Sequence, residues 1–87
     1  MIEREVILAN RHGLHARPAA DFVKLAGRFQ SIVKLRKDDL TIDGKSIMGV
    51  MMLAAEQGSR LTLIVDGPDE PEAIEALVEF LETDSEG

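Results

Sequence analysis

Apolar positions in this chain switch between a spacing of two and a spacing of three to four, and the switches mark out the elements. Residues 2–8, Ile-Glu-Arg-Glu-Val-Ile-Leu, read as a strand whose alternation is imperfect. Residues 32–36 alternate better and place Val33 and Leu35 on one face. Asp38-Asp39 then supplies a turn, and Leu40-Thr41-Ile42 reads as a short returning strand. The clearest strand runs from Arg60 to Val65, with Leu61, Leu63 and Val65 inward, and Asp66-Gly67-Pro68 stops it.

Three stretches carry the helical spacing. From Ala16 to about Arg28 good helix formers run without interruption after Pro18, a residue tolerated in a first turn because the N–H groups there lack intrahelical partners anyway. A shorter helix is predicted over about Ile47 to Leu53, with Ser46 in the N-cap position. A third runs from about Glu70 to Glu82. It places Ile74, Leu77, Val78 and Leu81 on one stripe, with Pro71 in its first turn. The polar tail, Thr83–Gly87, is expected to fray. The order strand, helix, strand, strand, helix, strand, helix predicts a two-layer α+β domain, one antiparallel or mixed sheet with helices packed on a single face.

Length and composition narrow the function. Eighty-seven residues make room for one small domain, expected to span 1–87. There is no cysteine, so a disulfide scaffold, a thiol nucleophile and a thiolate-bound metal are excluded. Three Phe, with no Trp or Tyr, are poor material for stacking nucleic-acid bases. No apolar run approaches the roughly 18 residues of a membrane span. The charged start, Met-Ile-Glu-Arg-Glu, is unlike a signal peptide, so a cytoplasmic address is expected. The net charge of −6 is unevenly spread: residues 1–50 carry nine basic side chains against six acidic ones, whereas residues 51–87 carry only Arg60 against ten acids. The acids of the second part solvate a C-terminal helix; the basic front points to an anionic ligand or partner.

The densest chemistry lies in residues 10–20, Asn-Arg-His-Gly-Leu-His-Ala-Arg-Pro-Ala-Ala. His15 falls immediately before the first predicted helix, where the N–H groups of Ala16 and Arg17 would be left free to bind an anion with the positive end of the helix dipole. Gly13 permits a bend that projects His15 outward, and Arg17 adds a planar, permanently charged fork suited to phosphate oxygens. An exposed imidazole in such a place can act as a nucleophile towards phosphorus. It can equally serve as an ordinary surface residue at a helix start. His12 and His15 have a spacing that can bind zinc, but with no cysteine and no third histidine carboxylates would have to complete the site, and His12 is read as a surface neighbour.

A second signal is Gly44-Lys45-Ser46-Ile47-Met48-Gly49-Val50-Met51-Met52-Leu53. Its first three residues resemble the end of a P-loop, but the glycine required five residues earlier is Asp39, which rejects a nucleotide-binding loop. Ser46 suits a helix cap, and equally a phosphoserine whose charge would sit at a helix N-terminus. The apolar run is too continuous for a short helix to bury on every side, so Ile47, Met48 and Met51 are expected to form an exposed, adaptable patch for protein partners.

Together these segments resemble the HPr family, the histidine-containing phosphocarriers of the bacterial phosphotransferase system. Gly13-Leu14-His15-Ala16-Arg17-Pro18-Ala19 matches its active-site pattern without a gap, and Lys45-Ser46-Ile47-Met48-Gly49-Val50-Met51 its regulatory-site pattern. The resemblance implies an open-faced β-sandwich, four antiparallel strands covered on one face by three helices. It implies a phosphoryl carrier rather than an enzyme, in which His15 accepts a phosphoryl group on Nδ1 from enzyme I and passes it to an enzyme IIA, with Arg17 attending the phosphate. It further implies Ser46 as the target of HPr kinase/phosphorylase, the surface around Ile47, Met48 and Met51 as shared by partners, no cofactor or metal, and a monomer. Two neighbouring roles remain in the same family: a nitrogen-branch phosphocarrier, and a regulatory HPr-like binding protein that works by contact. Intact His15 speaks against the second. Nucleic-acid binding is poorly supported by a front half of only +3.

Overall fold

The alternating apolar positions of the strands supply one wall of the core and the helical stripes supply the other. The structure, a computed structural model, describes residues 1–84, so of the tail expected to fray over Thr83–Gly87, residues 85–87 lie outside the described residues. Four strands, β1 (Ile2–Ile7), β2 (Ile32–Lys37), β3 (Leu40–Asp43) and β4 (Arg60–Asp66), alternate with three helices, α1 (Ala16–Ala26), α2 (Ile47–Met52) and α3 (Glu70–Glu82). The sheet has the order β1-β4-β2-β3, and each neighbouring pair is antiparallel. This is the open-faced arrangement of four antiparallel strands and three helices that the resemblance implied.

Register explains the layering. Val6 pairs with Leu61, Leu63 with Leu35 and Val65 with Val33, so these apolar residues stand on one face of the sheet and are buried. They meet Phe22 and Ala19 of α1, Val50 of α2, and Ile74, Leu77 and Leu81 of α3 in one continuous core. Phe22 and Phe80 meet with ring centroids 5.8 Å apart and tilted by 59°, tying α1 to α3. The face away from the helices stays in water.

The boundaries differ slightly from expectation. Helix α1 stops at Ala26 rather than near Arg28, and Arg28 and Phe29 instead bond the carbonyls three residues back, a tightened last turn. Helix α2 stops at Met52. Its end is held by the Lys37 ammonium, which reaches the carbonyls of Leu53 and Ala54 at 3.3 and 3.5 Å. Strand β1 ends at Ile7, although Leu8 is buried and still exchanges backbone bonds with Ser59 and Gly58.

A carboxylate pair locks the far end of the sandwich. Asp69, the residue before α3, turns its side chain away from its own helix to accept from the Ser31 hydroxyl at 2.5 Å and from the N–H groups of Gln30 and Ser31 at 2.8 and 3.0 Å. The Ser31 hydroxyl first, and then the Gln30 N–H, hold the Asp69 carboxyl below its ordinary range. Glu70 is lowered chiefly by the Gly67 N–H and then by the terminal ammonium of Met1. A carboxyl whose folded pKa is depressed contributes stability that is present above its unfolded value, about 4, and is lost as pH falls through the folded one. The folded state is therefore expected to weaken as pH drops below about 4, and Asp69→Asn is expected to be less stable at pH 7 with a flatter acid limb. Urea unfolding from pH 7 downward checks this; parallel curves for parent and variant contradict it.

Candidate functional site

Residues 8–15 leave the sheet and cross to the start of α1 as a loop bonded at almost every step. The Ala9 N–H donates to the Leu81 carbonyl at 2.9 Å, and the Gln57 side-chain amide donates to the Ala9 carbonyl at 3.2 Å. Asn10 is buried. Its side-chain oxygen accepts from the His12 N–H at 2.9 Å and its carbonyl accepts from the Gly13 N–H at 3.0 Å, which closes the turn from inside. Arg11 pairs with Asp84 at 3.1 Å beyond the end of α3. Gly13 adopts φ +70°, and a Cβ there would collide with the Ala55 carbonyl oxygen. The same oxygen accepts the Leu14 N–H at 2.9 Å while the Leu14 side chain is buried. With Leu14 facing inward, the next side chain, His15, emerges into solvent.

His15 is the N-cap residue of α1, in extended backbone geometry, and its imidazole caps nothing. Its carbonyl accepts the Ala19 N–H at 2.8 Å, so the helix starts cleanly. The N–H groups of Ala16 and Arg17 precede the first residue able to bond within the helix and donate to no protein acceptor among the described residues. Pro18 supplies no N–H and is buried, which anchors this turn on the core. Arg17 is exposed and forms no ion pair among the described residues. Arg11, His12, His15, Ala16, Arg17, Pro18, Glu56 and Gln57 line one open cleft of about 900 Å³. Its cationic and amide donors suit a dianionic, tetrahedral group presented from solvent. Among the described residues no group of three or more His, Asp or Glu side chains is arranged to hold a metal.

Ser46 caps α2, its hydroxyl oxygen accepting the Gly49 N–H at 3.1 Å, and it is partly exposed. The neighbouring Lys45 ammonium is engaged by the Phe29 carbonyl at 2.7 Å. By contrast, Ser31 is fully buried with its hydroxyl on Asp69, and the Ser59 hydroxyl accepts the Glu56 N–H. Ile47, Met48 and Met51 are exposed as expected; Met48 is 76% exposed. The patch also includes Met52, 65% exposed, which the sequence reading had not separated from its neighbours; within the run only Val50 and Leu53 turn into the core. Asn10, Ala55 and Gln57, which hold the loop, were also missed. The Asn-x-x-Gly spacing ahead of His15 was the one available signal for the first, and none existed for the other two.

Comparison with known proteins gives this geometry a context. A family model described as "PTS HPr component phosphorylation site" matches residues 2–83. The chain is 51% identical to the phosphocarrier protein HPr of Cupriavidus necator, over 93% of this chain and 91% of that one. It superposes on the crystal structure of an HPr from Bacillus anthracis with a TM-score of 0.90 and 42% identity, covering 93% and 96% of the two chains. It also resembles Crh of Bacillus subtilis, described as a catabolite repression protein and a swapped, intertwined dimer, at 46% identity and a TM-score of 0.77 over 95% and 98% of the chains.

The loop's dependence on Gly13 is testable by itself. Gly13→Ala adds a left-handed backbone penalty to the collision with the Ala55 carbonyl, so it is expected to destabilise the fold by more than about 1 kcal/mol and to disperse the amide NMR signals of 10–17 differently. An unchanged urea midpoint would contradict this.

Proposed function

This chain belongs to the HPr family, so it is a phosphocarrier of the phosphotransferase system rather than a catalyst in the usual sense, and from that premise we propose that His15 is the residue that carries the phosphoryl group. It takes the group from enzyme I and gives it to an enzyme IIA. The observation that supports this most is the combination at one point of an exposed imidazole and two amide donors, those of Ala16 and Arg17, without protein partners among the described residues. The imidazole Nδ1 attacks phosphorus in line. The N–P bond forms as the bond from phosphorus to the donor breaks, and the second transfer reverses these roles. Arg17 and the helix N–H groups neutralise the oxygens of the bound phosphoryl group. Each helix-end contribution is worth about 0.3–1 kcal/mol, small enough for the group to be passed on.

Ser46 is proposed as a second, regulatory phosphorylation site, written by HPr kinase/phosphorylase. A phosphate there adds about −1.5 to −2 charges at the start of α2, beside the exposed patch of Ile47, Met48, Met51 and Met52. Partners that dock on this patch would then meet an altered field. The Crh likeness raises a purely regulatory reading. A protein acting only by contact has no use for a nucleophilic side chain at position 15, which favours the carrier.

His15→Ala is expected to abolish acid-labile phosphate uptake from phosphoenolpyruvate and enzyme I; uptake by that variant would overturn the assignment. Arg17→Ala removes one charge-assisted contact and is expected to slow transfer roughly ten- to a hundredfold with an unchanged circular dichroism spectrum, whereas equal rates would remove Arg17 from the mechanism. Ser46→Ala is expected to lose ATP-dependent phosphorylation by a cognate kinase. Labelling that persists would place the modification elsewhere, and the burial of Ser31 leaves Ser59 as the better candidate.

A further inference from the structure

The face of the sheet turned away from the helices carries a charge pattern that none of the preceding chemistry uses. Glu3 and Glu5 of β1 point to this face, because their neighbours Arg4 and Val6 pair with the inward Leu63 and Leu61. On the same argument Lys34 and Arg36 of β2 point to it, flanking inward Leu35. Strand β4 lies between, and the register aligns the rows: Glu3–Ile64–Lys34 and Glu5–Thr62–Arg36. The β1 acids and the β2 bases are therefore two strand spacings apart, about 9–10 Å, too far to pair within one molecule, and Asp43 of β3, which lies opposite Lys34 on this same face, forms no ion pair with it among the described residues. None of these four charges has an ion-pair partner among the described residues.

We infer that this face is a self-complementary docking surface for a second copy of the chain, packed sheet to sheet about a two-fold axis parallel to β4. Rotation about that axis keeps the height along the strands and exchanges the two sides of β4. It lays Glu3 over Lys34 of the second copy and Glu5 over its Arg36, and the reverse pairs form by symmetry, giving four ion pairs. Ile64 and Thr62 meet their own counterparts at the centre. Arg60 and Asp66 also lie on the axis and meet like charges, but they sit at its two ends, where aligned twisted sheets diverge and water screens them. The three matched strands span about 14 by 20 Å, well below the roughly 800 Å² per partner of a standard interface. The net charge of −6 adds mutual repulsion. The dimer is accordingly weak and reversible, seen at high protein concentration, and it leaves both His15 clefts uncovered because they lie away from this face. It differs from the exchange of segments described for Crh.

Paired charge reversals test it. The variant Glu3→Lys/Glu5→Lys makes both outer columns of the docking rows basic, and Lys34→Glu/Arg36→Glu makes both acidic. Sedimentation equilibrium of the full chain at rising concentration is expected to show dimer for the parent and monomer for each variant alone. The equimolar mixture of the two variants is expected to form a heterodimer, at least about tenfold tighter than either variant's self-association. Circular dichroism establishes that both variants are folded, and if one is not, Glu5→Lys and Arg36→Glu as single changes carry the same test with half the pairs. A parent that stays monomeric at millimolar concentration, a dimer that survives reversal as a segment-exchanged dimer would, or a variant mixture without heterodimer each overturns the inference.

Discussion

The contact on which the site depends is the seating of the Gly13–Leu14 backbone on the carbonyl of Ala55. One carbonyl oxygen accepts the Leu14 N–H and leaves no room for a side chain at position 13. That choice sends Leu14 into the core, and alternation then sends His15 out. The sandwich beneath provides what a loop alone cannot, a fixed distance between β1 and the start of α1. The buried Asn10 and the bonds to Leu81 and Gln57 remove the remaining freedom of the segment. The His15 side chain is thus mobile only about its own torsions, on a backbone held from three sides.

What the site does with charge follows from what it omits. The N-cap side chain makes no capping bond, although N-cap positions favour side chains that do. Helix α2 shows the contrast within the same molecule, since Ser46 caps it in the ordinary way. Leaving α1 uncapped costs about 1 kcal/mol but frees its first N–H groups for a ligand. Pro18 limits that cost by removing one donor altogether and burying its ring. A weak, pre-formed anion cradle next to an exposed imidazole suits the proposed transfer, in which the group is bound covalently and then released, better than one held tightly by non-covalent contacts.

Much of this was legible in the sequence because local rules coincide. The alternation at Val33 and Leu35 and at Leu61, Leu63 and Val65 gave β2 and β4; the stripe of Ile74, Leu77 and Leu81 gave α3; Ser46 and Pro18 marked helix starts. The strand order could not be read from periodicity alone, since it is set by which edges meet after folding. The same holds for the supports of the site. Ala55 and Gln57 are about forty residues from His15 in the chain and carry no local signal. Met52 was missed because a run apolar on every side gives no phase, and only docking decided that Val50 and Leu53 would be the pair that turns inward.

The most direct test is to locate the phosphoryl group itself. After incubation with phosphoenolpyruvate and enzyme I, phosphorus-31 and long-range nitrogen-15 NMR of the labelled chain would read the modified atom. The account predicts a single phosphoramidate on Nδ1 of His15, with the amide signals of Ala16 and Arg17 moved by the new acceptor. A phosphoryl group on His12, or one on His15 that leaves those two amides unmoved, would contradict it.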